Sequence, residues 1–157
     1  MLSSSSSKEI VFGTTAGVLY ILNNTGVPHL VYDQPLSIID VPVLSDLDQD
    51  NDLEIVFIAG NDSSSILYVI QDNGDDLPGF PIYLSENIIV GPSIADLDND
   101  MVLDIVIATL DSNIYVINAD GNASDHFPFV ASAEFSSPVT LVDLDGDQDL
   151  EIIAGAS

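Results

Sequence analysis

The chain has 157 residues, 46% of them hydrophobic, and a formal net charge of -25 at pH 7, which predicts one globular domain with a sizeable core rather than a disordered chain. A single basic residue, Lys8, leaves no positive patch, so nucleic acid is excluded as a partner and an anionic membrane surface is disfavoured. There is no Cys, so disulfides and thiolate metal sites are excluded as well.

The first part of the chain shows neither a targeting signal nor a membrane span. Residues 1–7 are rich in Ser and lack both a basic region and an apolar core, so we expect a flexible leader rather than a signal peptide. The span 10–32 carries no formal charge, but the turn at 23–26 and Pro28 divide it into two short strands. We therefore expect no transmembrane helix and no membrane insertion.

From residue 8 onward, short apolar segments alternate with turn signals. Each segment has four to eight residues, and no apolar stripe of helical period is long enough for a helix. If the strands of one repeating unit are labelled A to D, the chain reads BCD (8–36), ABCD (37–86), ABCD (87–135) and AB (136–157). The predicted strands are 9–13, 17–22, 29–32, 38–44, 54–59, 66–70, 79–84, 88–95, 104–109, 113–118, 127–130, 137–142 and 151–155.

An acidic loop of nine residues recurs between strands A and B. We call the three copies loop 1 (46–54), loop 2 (96–104) and loop 3 (143–151); they begin 50 and then 47 residues apart and hold fourteen of the 26 acidic residues. Four short antiparallel strands repeated at this period predict β-propeller blades, which pack face to face around an axis. A β-sandwich would explain the strands but not the fixed place of the loop.

Each loop has Asp at positions 1, 3 and 5 and an acid at position 9. These like charges repel, and a divalent cation would relieve the repulsion; an all-oxygen set of donors suits Ca²⁺ rather than Zn²⁺. The alternative is a polar turn between two strands, in which Asp is common. An EF-hand is excluded, because position 12 holds Phe57, Ile107 or Ala154 instead of Glu and the flanking segments are strands.

The repeats resemble FG-GAP repeats, the family that builds the integrin α-subunit propeller and many bacterial extracellular propellers. The resemblance rests on the Asp-Leu-Asp-x-Asp-x-x-Leu-Asp/Glu loops, on Phe12-Gly13-Thr14-Thr15-Ala16-Gly17 and on Leu77-Pro78-Gly79-Phe80-Pro81, and it covers roughly residues 8–157. It implies up to three Ca²⁺, one in each loop. The implied side-chain ligands are Asp46, Asp48, Asp50 and Glu54 in loop 1, Asp96, Asp98, Asp100 and Asp104 in loop 2, and Asp143, Asp145, Asp147 and Glu151 in loop 3. The implied main-chain ligands are the carbonyl oxygens of Asp52, Val102 and Asp149.

The loops depart from the family pattern at two positions. Position 6, where the family often has Gly, a residue suited to φ > 0, holds Asn51, Met101 and Gln148. Asn tolerates that conformation, whereas Met and Gln adopt it less readily. Position 9 is Glu in loops 1 and 3, which is one methylene longer than Asp.

The strand count is lower than a closed ring requires. Thirteen predicted strands compare with about 16 in the smallest closed propellers. An open stack would expose two apolar faces. We expect further blades, either from a longer chain of which this is an excerpt or from self-association of two chains.

No catalytic motif is evident: the sequence has no nucleophile elbow, zinc-binding His pair or phosphate loop. His29 and His126 precede equivalent D strands, and Tyr20, Tyr68 and Tyr115 recur at one position of strand C, which favours packing roles. We expect a non-enzymatic, integrin-like interaction or adhesion module of a secreted or cell-surface protein, whose protein or glycan ligand is unknown. The alternatives are a carbohydrate-binding propeller and an accessory propeller of a larger extracellular enzyme.

Overall fold

The computed structural model describes residues 8–156, and every regular element in them is a β-strand. No helix that could cross a membrane is found in this part of the chain. The predicted leader, residues 1–7, lies outside the described residues. The strands are β1 Ile10–Gly13, β2 Val18–Leu22, β3 Pro28–Asp33, β4 Ser37–Ser45, β5 Glu54–Asn61, β6 Ser64–Ile70, β7 Ile82–Leu84, β8 Ser93–Ala95, β9 Asp104–Ala108, β10 Asn113–Asn118, β11 Phe129–Val130, β12 Thr140–Val142 and β13 Glu151–Ile153.

The strands form four separate antiparallel sheets. Their orders are β1-β2-β3, β4-β5-β6-β7, β8-β9-β10-β11 and β12-β13, so neighbours in a sheet are also neighbours in sequence. This connectivity needs only short turns, which the Gly, Asn and Asp residues between the strands provide. The second and third sheets are four-stranded meanders of the kind that form propeller blades.

The sheets pack face to face, and β5 shows how. Its residues Ile55 and Phe57 belong to one core cluster with Leu19 and Ile21 of the first sheet. The alternate residues Val56 and Ile58 belong to a second cluster, with Ile105 and Ile107 of the third sheet. Successive side chains of a strand point to opposite faces, so a strand covered on both sides must be apolar at nearly every position. This explains why β5 reads as one continuous apolar run.

The third sheet repeats this arrangement towards the fourth. Val106 and Ala108 of β9 form a cluster that includes Val139, with Ile152 of β13 packed against it. The chain therefore folds as a stack of sheets in which β5 and β9 are the central strands. The predicted all-β fold of propeller blades is confirmed.

The first strand of the repeat, strand A, is shorter than predicted in the last two sheets. Strand β8 includes only Ser93–Ala95 of the predicted 88–95, because Gly91 and Pro92 interrupt it and Pro cannot donate a ladder hydrogen bond. Ile88 instead donates its N–H to Ser65 Oγ at 3.1 Å in the preceding sheet. Strand β12 likewise begins after Pro138.

Gly79 allows two sheets to approach closely. It has φ of 99°, and a Cβ there would overlap the carbonyl oxygen of Asp120 in the turn that follows β10. Only Gly combines this φ with the absence of a side chain. The Pro-Gly turn before β7 therefore packs directly on the turn of the next sheet, at the same edge of the stack as the acidic loops.

Candidate metal centre

The three acidic loops lie at equivalent places in the stack. Loop 1 connects β4 to β5, loop 2 connects β8 to β9 and loop 3 connects β12 to β13. In each loop, one oxygen from each of three carboxylates lies within 4.8 Å of the other two. These groups are Asp46, Asp48 and Asp50; Asp96, Asp98 and Asp100; and Asp143, Asp145 and Glu151. The fold therefore brings most of the predicted side-chain ligands together, although Glu54, Asp104 and Asp147 lie outside these groups.

Hydrogen bonds from the backbone wind each loop around its carboxylates. In loop 1 the N–H of Asp50 donates to Asp48 Oδ1 at 3.2 Å, and the N–H of Asp52 donates to Asp50 Oδ1 at 2.8 Å. Loops 2 and 3 contain the same two bonds, at 3.2 and 2.7 Å and at 3.3 and 3.0 Å. The Asp side chains are thus held on the inside of a turn, as Asp readily is.

Two left-handed residues in each loop produce the tight winding. Position 4 has φ of 63° at Gln49, 59° at Asn99 and 85° at Gly146. Position 6 has φ of 71° at Asn51, 70° at Met101 and 84° at Gln148. The positive φ expected at position 6 is therefore present even where the residue is Met or Gln.

The position-6 backbone also fixes the first carboxylate of its own loop. The N–H of Asn51 donates to Asp46 Oδ2 at 3.2 Å, that of Met101 to Asp96 Oδ2 at 2.9 Å, and that of Gln148 to Asp143 Oδ2 at 3.1 Å. A hydrogen bond therefore links the backbone of the strained residue to the first predicted ligand in each loop.

The acid at position 9 accepts a hydrogen bond from the backbone at the start of its loop. Glu54 is only 2% exposed, and its Oε2 accepts the N–H of Leu47 at 2.8 Å. Burial raises the pKa of Glu54, and the charge of Asp48 raises it further against the lowering effect of that hydrogen bond. Asp104 is arranged in the same way: it accepts the N–H of Leu97 at 3.2 Å, and burial raises its pKa. This acid therefore closes the loop from position 9 back to position 2, in addition to its predicted role as a ligand.

The donor set fits a hard divalent cation. Asp46 Oδ1 is buried and has no hydrogen-bond partner, and burying an unpaired carboxylate oxygen is costly. A cation at the centre of the loop would satisfy this oxygen and offset the repulsion among the three carboxylates. An open cavity of about 290 Å³ beside loop 2 is lined by Asp98, Asp100, Val102 and Asp104 together with Asp120. Oxygen donors alone suit Ca²⁺.

Two connections between neighbouring loops were not predicted from the sequence. The Gln49 side chain of loop 1 donates a hydrogen bond to a loop 2 carbonyl, and the Asn99 side chain of loop 2 donates to loop 3. A weak signal was available, because both residues occupy position 4 of their loops and both carry a side-chain amide. Their targets depend on how the sheets stack, which the local pattern does not reveal.

The two histidines lie in different surroundings. His29 Nδ1 is 3.1 Å from Glu9 Oε1. His126 has φ of 71° and precedes Phe127, just as Gly79 precedes Phe80 in the preceding sheet. Of the three tyrosines predicted to pack, Tyr68 stacks on Phe57, with ring centroids 4.9 Å apart.

Tyr115 takes part in a small polar network at the opposite edge of the stack from the loops. Its hydroxyl donates to Glu86 Oε1 at 2.5 Å, and Asn113 Nδ2 donates to the same oxygen at 2.9 Å. Burial and the nearby Glu86 carboxylate raise the pKa of Tyr115 well above its usual range. The network joins the link after β7 to β10 and so contributes to the contact between the second and third sheets.

Comparison with known proteins supports this interpretation of the repeat. Residues 96–154 match the model of an FG-GAP-like repeat, and a search of curated proteins finds no match. Among solved structures, the chain is similar to one described as BBS1N in complex with ARL6DN, soaked with lead, with a TM-score of 0.63 and 14% identity. The similarity covers 99% of this chain and 47% of that one, so the chain spans about half the length of the solved chain. The predicted resemblance is thus confirmed: the chain carries an FG-GAP-like repeat at residues 96–154, on a fold of stacked β-propeller blades.

Proposed function

We propose that this chain is a calcium-stabilised β-propeller interaction module of a secreted or cell-surface protein, without catalytic activity of its own. The observation that carries the calcium assignment is the buried, unpartnered Oδ1 of Asp46 inside a group of three carboxylates. The same acidic pattern recurs in loops 2 and 3, and FG-GAP repeats are typically extracellular, which supports the proposed location.

The chain's own residues would hold each ion as follows. Carboxylates at positions 1, 3 and 5 converge in loops 1 and 2, and those at positions 1, 3 and 9 converge in loop 3. The acid at position 9 accepts the N–H of position 2 in every loop, and the carbonyl at position 7 is the expected main-chain ligand. When bound, Ca²⁺ supplies positive charge that neutralises the converging carboxylates. Sites of extracellular affinity, with Kd of about 0.1–1 mM, would each contribute roughly 0.7–2 kcal/mol of stability at about 2 mM Ca²⁺.

Recognition of a partner would use the loops at the edges of the stack, because loops on a rigid scaffold usually carry binding. The interacting partner is proposed to be a protein, in line with adhesion and recognition by integrin-like propellers. The sheets themselves would act as the rigid support, since β5 and β9 are buried on both faces.

We also infer that the outer faces of the first and fourth sheets are covered by further blades, from the same longer chain or from a second copy. Ile10 and Val31 of the first sheet are 55% and 51% exposed, and Ile153 of the fourth sheet is 43% exposed. Apolar surface of this kind favours association. Sedimentation velocity over a range of concentrations tests this, and a monomer that never associates would contradict it.

The calcium assignment is tested by thermal unfolding of the chain in excess chelator, in about 2 mM Ca²⁺ and in equal Mg²⁺. Three sites of the affinity above would raise the unfolding midpoint by several degrees with Ca²⁺, because ligands that bind only the folded state stabilise it. Mg²⁺ is the control, since it prefers a smaller, stricter octahedral site. A folded protein whose midpoint is the same in all three media would refute the assignment.

A further inference from the structure

The side chain at position 4 of one loop reaches the backbone of the next. Gln49 Nε2 of loop 1 donates to the carbonyl oxygen of Met101 in loop 2 at 2.7 Å. Asn99 Nδ2 of loop 2 donates to the carbonyl oxygen of Gln148 in loop 3 at 3.0 Å, and also to Asp149 Oδ1 at 2.7 Å. In loop 3 the same position is Gly146, which has no side chain to reach further.

The residues that receive these bonds are the ones whose backbone is strained. Met101 and Gln148 have φ of 70° and 84°, a conformation that is unfavourable for a residue with a Cβ. Asn51 adopts φ of 71° at the equivalent place in loop 1, but Asn is among the residue types that tolerate the left-handed region. The two loops with an unfavourable residue at position 6 are therefore the two in which a neighbouring amide holds that residue.

The residue that is held through its carbonyl oxygen also orients the first carboxylate, through its own N–H. Met101 accepts from Gln49 through its oxygen and donates to Asp96 through its nitrogen. Gln148 connects Asn99 to Asp143 in the same way. In each case the next peptide along carries the expected main-chain ligand, Val102 or Asp149. A bond to the position-6 carbonyl thus restrains two predicted ligands of the loop that receives it.

We propose that Gln49 and Asn99 are positioning residues for the calcium site of the following blade rather than of their own loop. The inference rests on the proposed function, because it concerns the affinity of loops 2 and 3 for Ca²⁺. The side-chain contacts run in one direction along the chain: loop 1 preorganises loop 2, and loop 2 preorganises loop 3. Gly146 of loop 3 has no side chain with which to make a further contact. A binding site whose geometry is held before the ion arrives loses less entropy on binding.

The test is a Ca²⁺ titration of the whole chain followed by NMR, with the backbone amides of Asn51, Met101 and Gln148 reporting on loops 1, 2 and 3. The variants are Gln49→Gly and Asn99→Gly, because Gly accepts the positive φ of position 4 as Gly146 already does. A conservative variant, Gln49→Asn, keeps an amide at that position.

Loss of one exposed hydrogen bond of this kind predicts a roughly three- to tenfold weaker equilibrium. We expect Gln49→Gly, which removes one hydrogen bond, to weaken Ca²⁺ binding by that factor in loop 2 relative to loop 1. Asn99→Gly removes two, so it should weaken binding in loop 3 relative to loop 2 by at least that factor. Gln49→Asn should recover part of the loss. A role confined to the residue's own loop predicts the opposite pattern, with loop 1 weakened by Gln49→Gly.

The outcomes separate this inference from the proposal on which it rests. If the parent chain binds Ca²⁺ in all three loops but each variant weakens only its own loop, or none, the inference is overturned and the calcium sites stand. If the parent chain shows no Ca²⁺-dependent shift in any of the three amides, the proposed function fails and the inference fails with it.

Discussion

Replacing Asp46 with Asn should stabilise the protein without calcium and should lose part or all of that advantage with calcium. The substitution removes one of three carboxylate charges in loop 1 while keeping an oxygen that can accept the N–H of Asn51. Without a cation that charge only repels its neighbours. With Ca²⁺ it is a ligand, so its removal weakens the site.

The size of the effect follows from the geometry. At 4.8 Å, the upper limit of the separation between these oxygens, two charges repel by about 0.9 kcal/mol at the dielectric constant of water and by about 3.5 kcal/mol at an effective value of about 20. Asp48 and Asp50 are exposed, so the lower figure applies to each of the two pairs. We expect Asp46→Asn to stabilise the protein by about 1–2 kcal/mol in chelator, which raises the midpoint by about 2–8 °C for a domain of this size.

In about 2 mM Ca²⁺ the same variant forgoes the roughly 0.7–2 kcal/mol that the loop 1 site contributes. Its advantage over the parent chain should therefore shrink by about 0.7–2 kcal/mol, and at the upper end of that range it disappears or reverses. Differential scanning calorimetry of both proteins in both media measures this directly. Asp62→Asn is the matched control, because Asp62 is an exposed acid in the turn between β5 and β6, away from the loops.

The comparison within each medium decides between the outcomes. If Asp46→Asn shifts the midpoint by the same amount in chelator and in calcium, the carboxylate is not a ligand and the cation reasoning fails for loop 1. If it destabilises the protein in chelator, repulsion among the carboxylates is not the dominant interaction in the empty loop, and the electrostatic reasoning is refuted even where calcium binds.

Three further predictions concern the stack that carries the loops. Gly79→Ala should lower the free energy of unfolding by about 1–3 kcal/mol in urea titrations, because a Cβ there meets the Asp120 carbonyl, whereas Gly26→Ala, at a similar φ but in open space, should cost only about 1 kcal/mol. Ile105→Ala should cost about 2–5 kcal/mol in the same assay, since Ile105 is fully buried between the second and third sheets; a loss under about 1 kcal/mol would contradict the face-to-face packing. Burial, and then the charge of Asp76, raises the pKa of Tyr32 to about 12, so its contribution to stability is fully present below pH 10 and is lost as the pH rises through 12. Urea midpoints measured from pH 9 to 12 should fall less steeply for Tyr32→Phe than for the parent chain. Equal slopes would contradict a stability contribution from the raised pKa of Tyr32.

Residues at the centre of each sheet were the easiest to predict. The segments that became β5, β6, β9 and β10 read as strands because β-branched and aromatic residues fill them and turn residues bound them. Strand β8 was harder, since the apolar residues Ile88, Ile89 and Val90 precede Pro92 in a segment that does not pair. An apolar residue indicates burial, and burial alone does not distinguish a strand from a connecting segment that packs against a strand.

The candidate site likewise has features that could be predicted from the sequence and features that could not. The spacing of Asp46, Asp48 and Asp50 within one short loop was enough to predict that these carboxylates converge, and the structure brings them within 4.8 Å of one another. The position-9 acid was predicted as a ligand alone, and its bond to the backbone of position 2 was not foreseen. The reason is that spacing predicts which loop residues are candidate ligands, whereas the direction of their oxygens depends on how the loop closes.

The all-β class, the four-strand repeat, the place of the acidic loops and the resemblance to FG-GAP repeats could all be recognised in the amino-acid order, because these are local patterns that repeat at a nearly constant period. Which loops touch, that Gln49 and Asn99 reach the next loop, and that Gly79 lies against Asp120 became visible only in the folded chain. Those contacts join residues that lie in successive repeats. They depend on the distance and angle between stacked sheets, which no single repeat contains.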